Sequence, residues 1–227
     1  MIVNNHQQAT ATRFRRSAYR LALAFALSTG ISGVQAATSA DPFPQPVYIT
    51  LTKANAVQEM ATSNSLDGLP TAHYDAISAD GKLLMVSSKD QPEAYLLDAQ
   101  TGQKLATYKI GKVPQGVAIS PDERWGMAVA AGEDTVSVID LKTRKLVKTI
   151  TVGKTPHNIR FTRDSKMAYV TLQGGTGVAV LDMSLLKKVD EIPVPGIKGP
   201  HNLDLSPDEK TLWVRDFVGK VAAVDIA

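Results

Sequence analysis

The chain has 227 residues, of which 44% are hydrophobic and 21% charged. This composition is enough to bury a core and too polar for a protein embedded in a membrane. Of the 25 basic and 22 acidic residues, four arginines and no acid fall in residues 1–36. The remainder therefore carries 21 basic and 22 acidic residues. The net charge of +3 belongs to this first segment and does not indicate a nucleic-acid partner.

The chain contains no cysteine. This excludes a disulfide framework, thiolate metal ligands, a cysteine nucleophile and covalent haem attachment through a Cys-x-x-Cys-His motif. Stability has to come from burial of apolar side chains.

Residues 1–36 have the pattern of a secretory signal peptide. Basic residues between Arg13 and Arg20 precede the apolar run Leu21–Leu27, and Val34-Gln35-Ala36 offers a cleavage site. The alternative is an uncleaved anchor, but the apolar run is shorter than the roughly 20 residues of a membrane helix. We expect a periplasmic protein without membrane attachment after cleavage. Residues 37–69 are expected to form an N-terminal segment with one strand, Val47–Thr52, after a flexible stretch.

A repeat of about 42 residues organises the rest of the chain. Its units begin at the same pattern, spaced 42, 42 and 44 residues apart: His73-Tyr-Asp-Ala-Ile-Ser-Ala-Asp80, Gln115-Gly-Val-Ala-Ile-Ser-Pro-Asp122, His157-Asn-Ile-Arg-Phe-Thr-Arg-Asp164 and His201-Asn-Leu-Asp-Leu-Ser-Pro-Asp208. A second marker shows nearly the same spacing in Asp98, Asp140, Asp182 and Asp225. Two markers with one period indicate a repeat architecture.

Each unit has the pattern of four short antiparallel strands. In the second unit the strands are predicted at 116–120, 126–130, 135–140 and 146–152, separated by turn residues such as Ser-Pro-Asp. Four strands in about 42 residues are typical of one β-propeller blade. The fold class is therefore all-β, with blades at 70–111, 112–153, 154–196 and 197–227, the last one incomplete.

The residues Met167-Ala-Tyr-Val-Thr171, the Ser-Pro-Asp turns and the Thr-Pro-His-Asn158 and Gly-Pro-His-Asn202 starts resemble the YVTN family of bacterial β-propeller repeat proteins. The same repeat is similar to the propeller domain of cytochrome d1-type nitrite reductases. The resemblance covers residues 69–227 and implies a ring of about seven blades. It specifies the fold more than the function, because this blade type serves many roles.

Four blades and a fraction leave the ring open. The favoured interpretation is that the chain is a fragment of a longer protein. The alternatives are a small ring that residues 47–52 complete with the missing strand, or a larger ring formed by two chains. An open ring exposes blade edges through which chains can self-associate.

The first strand of a propeller blade lines the central channel, so residues at its start form a ring at one mouth. That position holds His73, His157 and His201, with Gln115 in the second blade. Converging imidazoles are the ligands that copper, zinc or haem iron requires. The favoured interpretation is nevertheless structural: the imidazole bonds a neighbouring blade or caps the preceding loop.

Other charged residues face the channel in this arrangement. Asp75, Arg160 and Asp204 follow the blade starts and are candidate ligand contacts, together with Gln115. The aspartates of the Ser-Pro-Asp turns and of the third strands are expected to bond turn backbone. Trp125 and Trp213 are expected to pack between blades.

Three functional hypotheses follow. The favoured one is a binding or scaffold module, without enzymatic activity of its own, for a periplasmic protein or small ligand on the channel face. The second, motivated by the histidine ring and implied by the resemblance, is a propeller associated with haem d1 or a divalent metal, in nitrite-reductase-like redox chemistry or cofactor assembly. The third is a propeller lactonase or lyase, to which His157, His201 and Asp204 would contribute.

Overall fold

A computed structural model describes residues 48–51, 56–59, 65–66 and 68–227. All of them belong to one compact unit, Asp41–Ala227. The predicted signal peptide and the stretch 37–46 lie outside the described residues. Among the described residues, no helix is long and apolar enough to cross a membrane.

Four antiparallel sheets follow one another in the repeat region. The first contains β4 (Ala72–Ile77), β5 (Leu83–Ser88), β6 (Glu93–Asp98) and β7 (Lys104–Lys109). The second contains β8 (Pro114–Ile119), β9 (Trp125–Ala130), β10 (Thr135–Asp140) and β11 (Lys145–Thr151). The third contains β12 (Pro156–Phe161), β13 (Met167–Leu172), β14 (Gly177–Asp182) and β15 (Lys187–Pro193). The fourth has three strands, β16 (Asn202–Leu205), β17 (Thr211–Arg215) and β18 (Val221–Asp225).

Every one of these sheets is an up-and-down meander, with each strand paired to the next in the chain. The predicted all-β propeller of about four blades, with an incomplete last blade, is confirmed. In the second sheet the strands lie within one or two residues of their predicted positions. The observed bounds of β10 equal the predicted ones. The alternation in Thr135-Val-Ser-Val-Ile-Asp140 marks this strand clearly, because side chains alternate between the two faces of a strand.

The N-terminal segment differs from its prediction of a single strand. It contains three strands, β1 (Tyr48–Leu51), β2 (Ala56–Glu59) and β3 (Ser65–Leu66), which form a separate antiparallel sheet. The sequence did not reveal β2 and β3 because they are short, partly polar and lack the turn residues of the repeat. Val57 of this sheet packs on the first repeat sheet with Leu84, Val86 and Leu97.

The core lies between successive sheets. One apolar cluster joins the first and second repeat sheets, a second joins the second and third, and a third joins the third and fourth. The innermost strands β4, β8, β12 and β16 pack against one another in that order. Among the described residues, the sheets do not close into a ring.

The turn aspartates have the structural role that the sequence predicted. In the first turn of the second sheet, Ser120 Oγ donates to Asp122 Oδ1 (2.6 Å) and accepts from the backbone N–H of Trp125 (2.9 Å). After β10, Asp140 Oδ1 accepts from the backbone N–H of Thr143 at 2.7 Å. These bonds lower the pKa of the Asp140 carboxyl. The residues that recur in each repeat unit thus stabilise the turns between its strands.

Candidate ligand-binding face at the inner strands

The histidine position of the repeat lies in a β-bulge. In β4, β8 and β12 the pairing with the next strand is interrupted between Ala72 and Asp75, Pro114 and Val117, and Pro156 and Ile159. A bulge leaves residues unpaired and re-aims their side chains. His73, Gln115 and His157 occupy the first bulged position, which explains why one repeat position carries long polar side chains that leave the sheet.

A residue in the left-handed conformation precedes each bulge. Thr71 has a φ of 46°, Val113 of 53° and Thr155 of 48°, whereas the fourth sheet has Gly199 at 67°. A positive φ is costly for β-branched residues and free of that cost for glycine. The conformation is held by neighbouring backbone: the carbonyl of Thr155 accepts from the N–H of Gln173 at 2.9 Å. The backbone before β4, β8 and β12 is therefore strained, which suits a position that must aim a side chain.

His157 is bonded to the next sheet. Its Nδ1 donates to the carbonyl oxygen of His201 at 3.1 Å, and Thr171 Oγ1 donates to the same oxygen at 2.9 Å. The rings of His157 and His201 lie 3.8 Å apart between centroids and are tilted by 37°. Both side chains are buried. This is the neighbouring-blade contact that the structural interpretation of the histidine position predicts.

The electrostatics of the histidine position favour neutral rings. Burial lowers the pKa of His157 to about 4, and the adjacent His201 acts in the same direction. Burial also lowers the pKa of His201, with the Arg215 guanidinium as the second cause. Burial likewise lowers the pKa of His73. Uncharged imidazoles in a stack avoid the repulsion that two imidazolium rings would have at this distance.

His73 is linked to the pair through an aromatic ring rather than directly. Its ring makes an edge contact with Tyr74 (4.7 Å), and Tyr74 makes another with His157 (5.7 Å). In the second sheet the Oε1 atom of Gln115 is buried and accepts no hydrogen bond from a protein atom. The structure therefore brings together two of the three predicted histidines.

The metal hypothesis needs at least three converging ligands. Within the described part of the chain, no group of three or more His, Asp or Glu side chains is arranged to hold a metal ion. His157 Nδ1 already bonds a backbone carbonyl. This geometry offers no specific support for a metal site with three or more protein ligands.

Three other predicted ligand residues, Asp75, Arg160 and Asp204, lie close to one another. A cavity of about 340 Å³ lies on the inner strands β4, β8 and β12 and is lined by Asp75 and Arg160. Arg160 Nε also lies 3.5 Å from Asp204 Oδ1 of β16. The position of Arg160 is occupied by Ala76 in the first sheet and Ala118 in the second, and both alanines line the same cavity. Small side chains in two sheets and a long cation in the third create a recess with charge on its wall.

Sequence reasoning missed four polar residues around this face: Tyr74, Asn158, Asn202 and Arg215. With its amide oriented so that donors meet acceptors, Asn202 accepts from Arg215 Nη2 (3.0 Å) and donates to His201 Nδ1 (3.2 Å). Asn158 and Asn202 follow the histidines directly, so the Pro-His-Asn pattern could have indicated them. No comparable signal marks Arg215, because it lies on the second strand of its sheet.

The meander sheets, their radial order and the recess on the inner strands define a protein of the β-propeller class. Residues 76–227 match the YNCE-like beta-propeller family, and the chain belongs to this family. The propeller repeat predicted from the sequence is thereby confirmed. No curated protein matches the chain.

Three solved structures show how widely this fold is used. The chain is similar to a chain of Kuenenia stuttgartiensis hydrazine synthase, with 30% identity, a TM-score of 0.64, and coverage of 68% of this chain and 46% of that chain. It is similar in fold to the dihydro-heme d1 dehydrogenase NirN in complex with DHE, with 18% identity, a TM-score of 0.61, and coverage of 79% and 42%. A functionally unknown protein from Desulfotomaculum acetoxidans gives 17% identity, a TM-score of 0.71, and coverage of 84% and 64%. The chain thus spans less than two thirds of each of them.

Proposed function

We propose that the chain is a periplasmic binding module that holds a small ligand or a protein on the channel face. The observation that carries this proposal is the recess on β4, β8 and β12, with Asp75 and Arg160 on its wall. An acid and a base on an otherwise apolar wall fix the orientation of a polar ligand, as in most binding pockets. Export to the periplasm is supported by the pattern of residues 1–36.

Arg160 is the anchor in this proposal. Its side chain is 46% exposed, and its partner Asp204 is 74% exposed. An ion pair this exposed contributes little to stability, so a ligand can replace it at small cost. Arg160 Nη1 also donates to the carbonyl of Ile159 at 3.1 Å, which directs the guanidinium along the inner strand. The cation is therefore both held in position and accessible.

The test is site-specific photo-crosslinking in the native host. A photoreactive phenylalanine replaces Phe161, which lines the same recess, or, as the control, Lys148 on the exposed outer strand β11. We expect a defined adduct from position 161, identified by mass spectrometry, and none of the same mass from position 148.

Ligand retention gives the second arm. Native mass spectrometry of protein isolated from the periplasm should show a bound species in the wild type and Lys148→Ala, and its loss in Arg160→Ala. If both crosslinking positions gave the same adducts, or if no species were bound at the channel face, the proposed binding role would be wrong. Recovery of the protein only from the cytoplasmic fraction would contradict its export.

A further inference from the structure

The outer strands of the repeat sheets differ in how far they are exposed. β11, the outer strand of the second sheet, has six exposed residues of seven, against three of six in β7 and five of seven in β15. The second sheet packs between the first and the third through two apolar clusters. β11 is therefore exposed although both neighbouring sheets are present, so its surface belongs to the outside of the propeller.

Positive charge is concentrated on this strand and on the turn before it. Residues 141–151 contain four basic residues and no acidic one, whereas residues 37–227 together hold 21 basic and 22 acidic residues. The four are Lys142, Arg144, Lys145 and Lys148. In the described part of the chain, none of these three lysines forms an ion pair. Asp140 lies opposite Lys145 in the register, but its carboxylate accepts from the N–H of Thr143. The lysine charges are therefore available to a partner.

The same strand offers apolar contacts and backbone hydrogen bonds. Leu146 is 39% exposed and Val147 is 45% exposed. One edge of β11 pairs with β10, regularly from Lys148 to Thr151, and within the described residues no strand pairs with the other edge. Along such an edge, alternate N–H and C=O groups point away from the sheet. An extended peptide can satisfy these groups by adding a strand.

The lysines decide which strands this edge can accept. Like charges opposite each other destabilise a strand pair and opposite charges stabilise it, so a basic edge rejects basic strands and favours acidic ones. The outer strand β15 lacks this selectivity, because it carries Asp190 and Glu191 and its Lys188 Nζ already donates to Glu191 Oε2 at 2.6 Å.

We propose that the free edge of β11 binds an acidic, extended segment of a partner protein as an added strand. Carboxylates of the segment pair with Lys145 and Lys148, and its apolar side chains pack on Leu146 and Val147. The surface lies on the outside of the second sheet, so this partner is independent of the ligand proposed for the channel face.

The test uses the full chain and a fluorescently labelled peptide of eight residues in which Glu and Val alternate. Fluorescence anisotropy should show saturable binding, and the double variant Lys145→Glu/Lys148→Glu should weaken it at least tenfold. Lys210→Glu alters an exposed lysine before β17, serves as the matched control, and should change binding less than twofold. Hydrogen exchange should slow in β11 when the peptide is bound and stay unchanged in β7.

Two altered peptides separate strand addition from simple charge attraction. Replacing every Glu by Gln removes the charges, and N-methylation of all backbone amides keeps the charges but removes the hydrogen-bond donors. Each change should weaken binding at least tenfold, and circular dichroism shows that the protein variants remain folded. Absence of saturable binding, equal binding of the N-methylated peptide, or equal losses in Lys210→Glu would overturn the proposal. Binding to phosphatidylglycerol vesicles without binding to the peptide would also overturn it, and would assign this surface to a membrane.

Discussion

At the scale of single residues, the histidine position shows how a repeat places one kind of side chain at the same point of successive sheets. His157 is buried and donates to the carbonyl of His201, so its side chain serves the junction between two sheets. Gln115 fills the same position in the second sheet with a side chain of similar reach. Successive sheets present similar local geometry at this position, which is a sufficient reason for the same kind of side chain to recur.

The lowered pKa of His157 predicts a pH dependence of stability. Its folded value is about 4, whereas the unfolded chain has an ordinary histidine near 6.5. As the pH falls from about 6.5 towards 4, the His157 imidazole binds a proton in the unfolded state but stays neutral in the folded state. The free energy of unfolding then falls by up to about 1.4 kcal/mol per pH unit for this one group. Urea unfolding at several pH values between 7 and 5 measures the slope.

His157→Gln is the matched variant, because glutamine keeps an N–H donor for the His201 carbonyl. We expect a shallower slope in this variant, although His73 and His201 still contribute because their pKa values are also lowered. In the wild type, the NMR signal of the His157 ring should titrate near pH 4. Titration near 6.5 with unchanged slopes would contradict a buried neutral ring.

At the scale of elements, the inner strands are held closer together than side chains would normally allow. Gly116 of β8 lies in the bulge, where a Cβ would come within 2.7 Å of the His157 carbonyl oxygen and 3.1 Å of Asn158 Cα. Both atoms belong to the backbone of β12 and cannot move aside as a side chain could. The glycine is therefore required by the close approach of two strands.

Gly116→Ala should lower the free energy of unfolding by about 1–3 kcal/mol, because the added methyl group forces β8 and β12 apart. Gly175→Ala is the control: its Cβ would meet the nearest atoms, both of Leu172, at 3.6 Å, an ordinary contact. That variant should remain within about 0.5 kcal/mol of the wild type. Denaturant titration of both variants is the measurement, and equal losses would show that the strand approach is not the cause.

At the scale of the whole molecule, stability comes from sheet-to-sheet interfaces. Each repeat sheet contacts its neighbours in the chain, so the free energy of unfolding is close to a sum of sheet and interface contributions. Met127 lies fully buried between the second and third sheets, in the largest of the apolar clusters. The interface that Met127 fills recurs between each pair of successive repeat sheets.

Met127→Ala should therefore destabilise the chain by about 2–5 kcal/mol, since the removed side chain leaves a cavity in a junction. The exposed Leu185 gives the control, and Leu185→Ala should change stability by less than about 0.5 kcal/mol. Hydrogen exchange should show the largest loss of protection in the second and third sheets. A loss spread evenly over all sheets would argue against stability built from local interfaces.

Much of the fold could be predicted because its determinants are local. The Ser-Pro-Asp turns and the alternation in β10 fix strand ends and faces from neighbouring residues alone. The expectation that tryptophans pack between blades is confirmed for Trp125, which is buried, and wrong for Trp213. The two tryptophans lie on the second strand of their sheets, two positions apart in the repeat. Burial there depends on whether another sheet covers that face, which the local pattern does not contain.

The sequence by itself determined the repeat, its 42-residue period and the recurrence of histidine at the start of the inner strands, because these depend on residues close together in the chain. Only the tertiary structure decided that the histidine position lies in a bulge, that His157 bonds the next sheet, and that Arg160 and Asp75 share a recess. The last two of these facts join residues more than 40 positions apart. They follow from the angle and spacing at which the sheets pack.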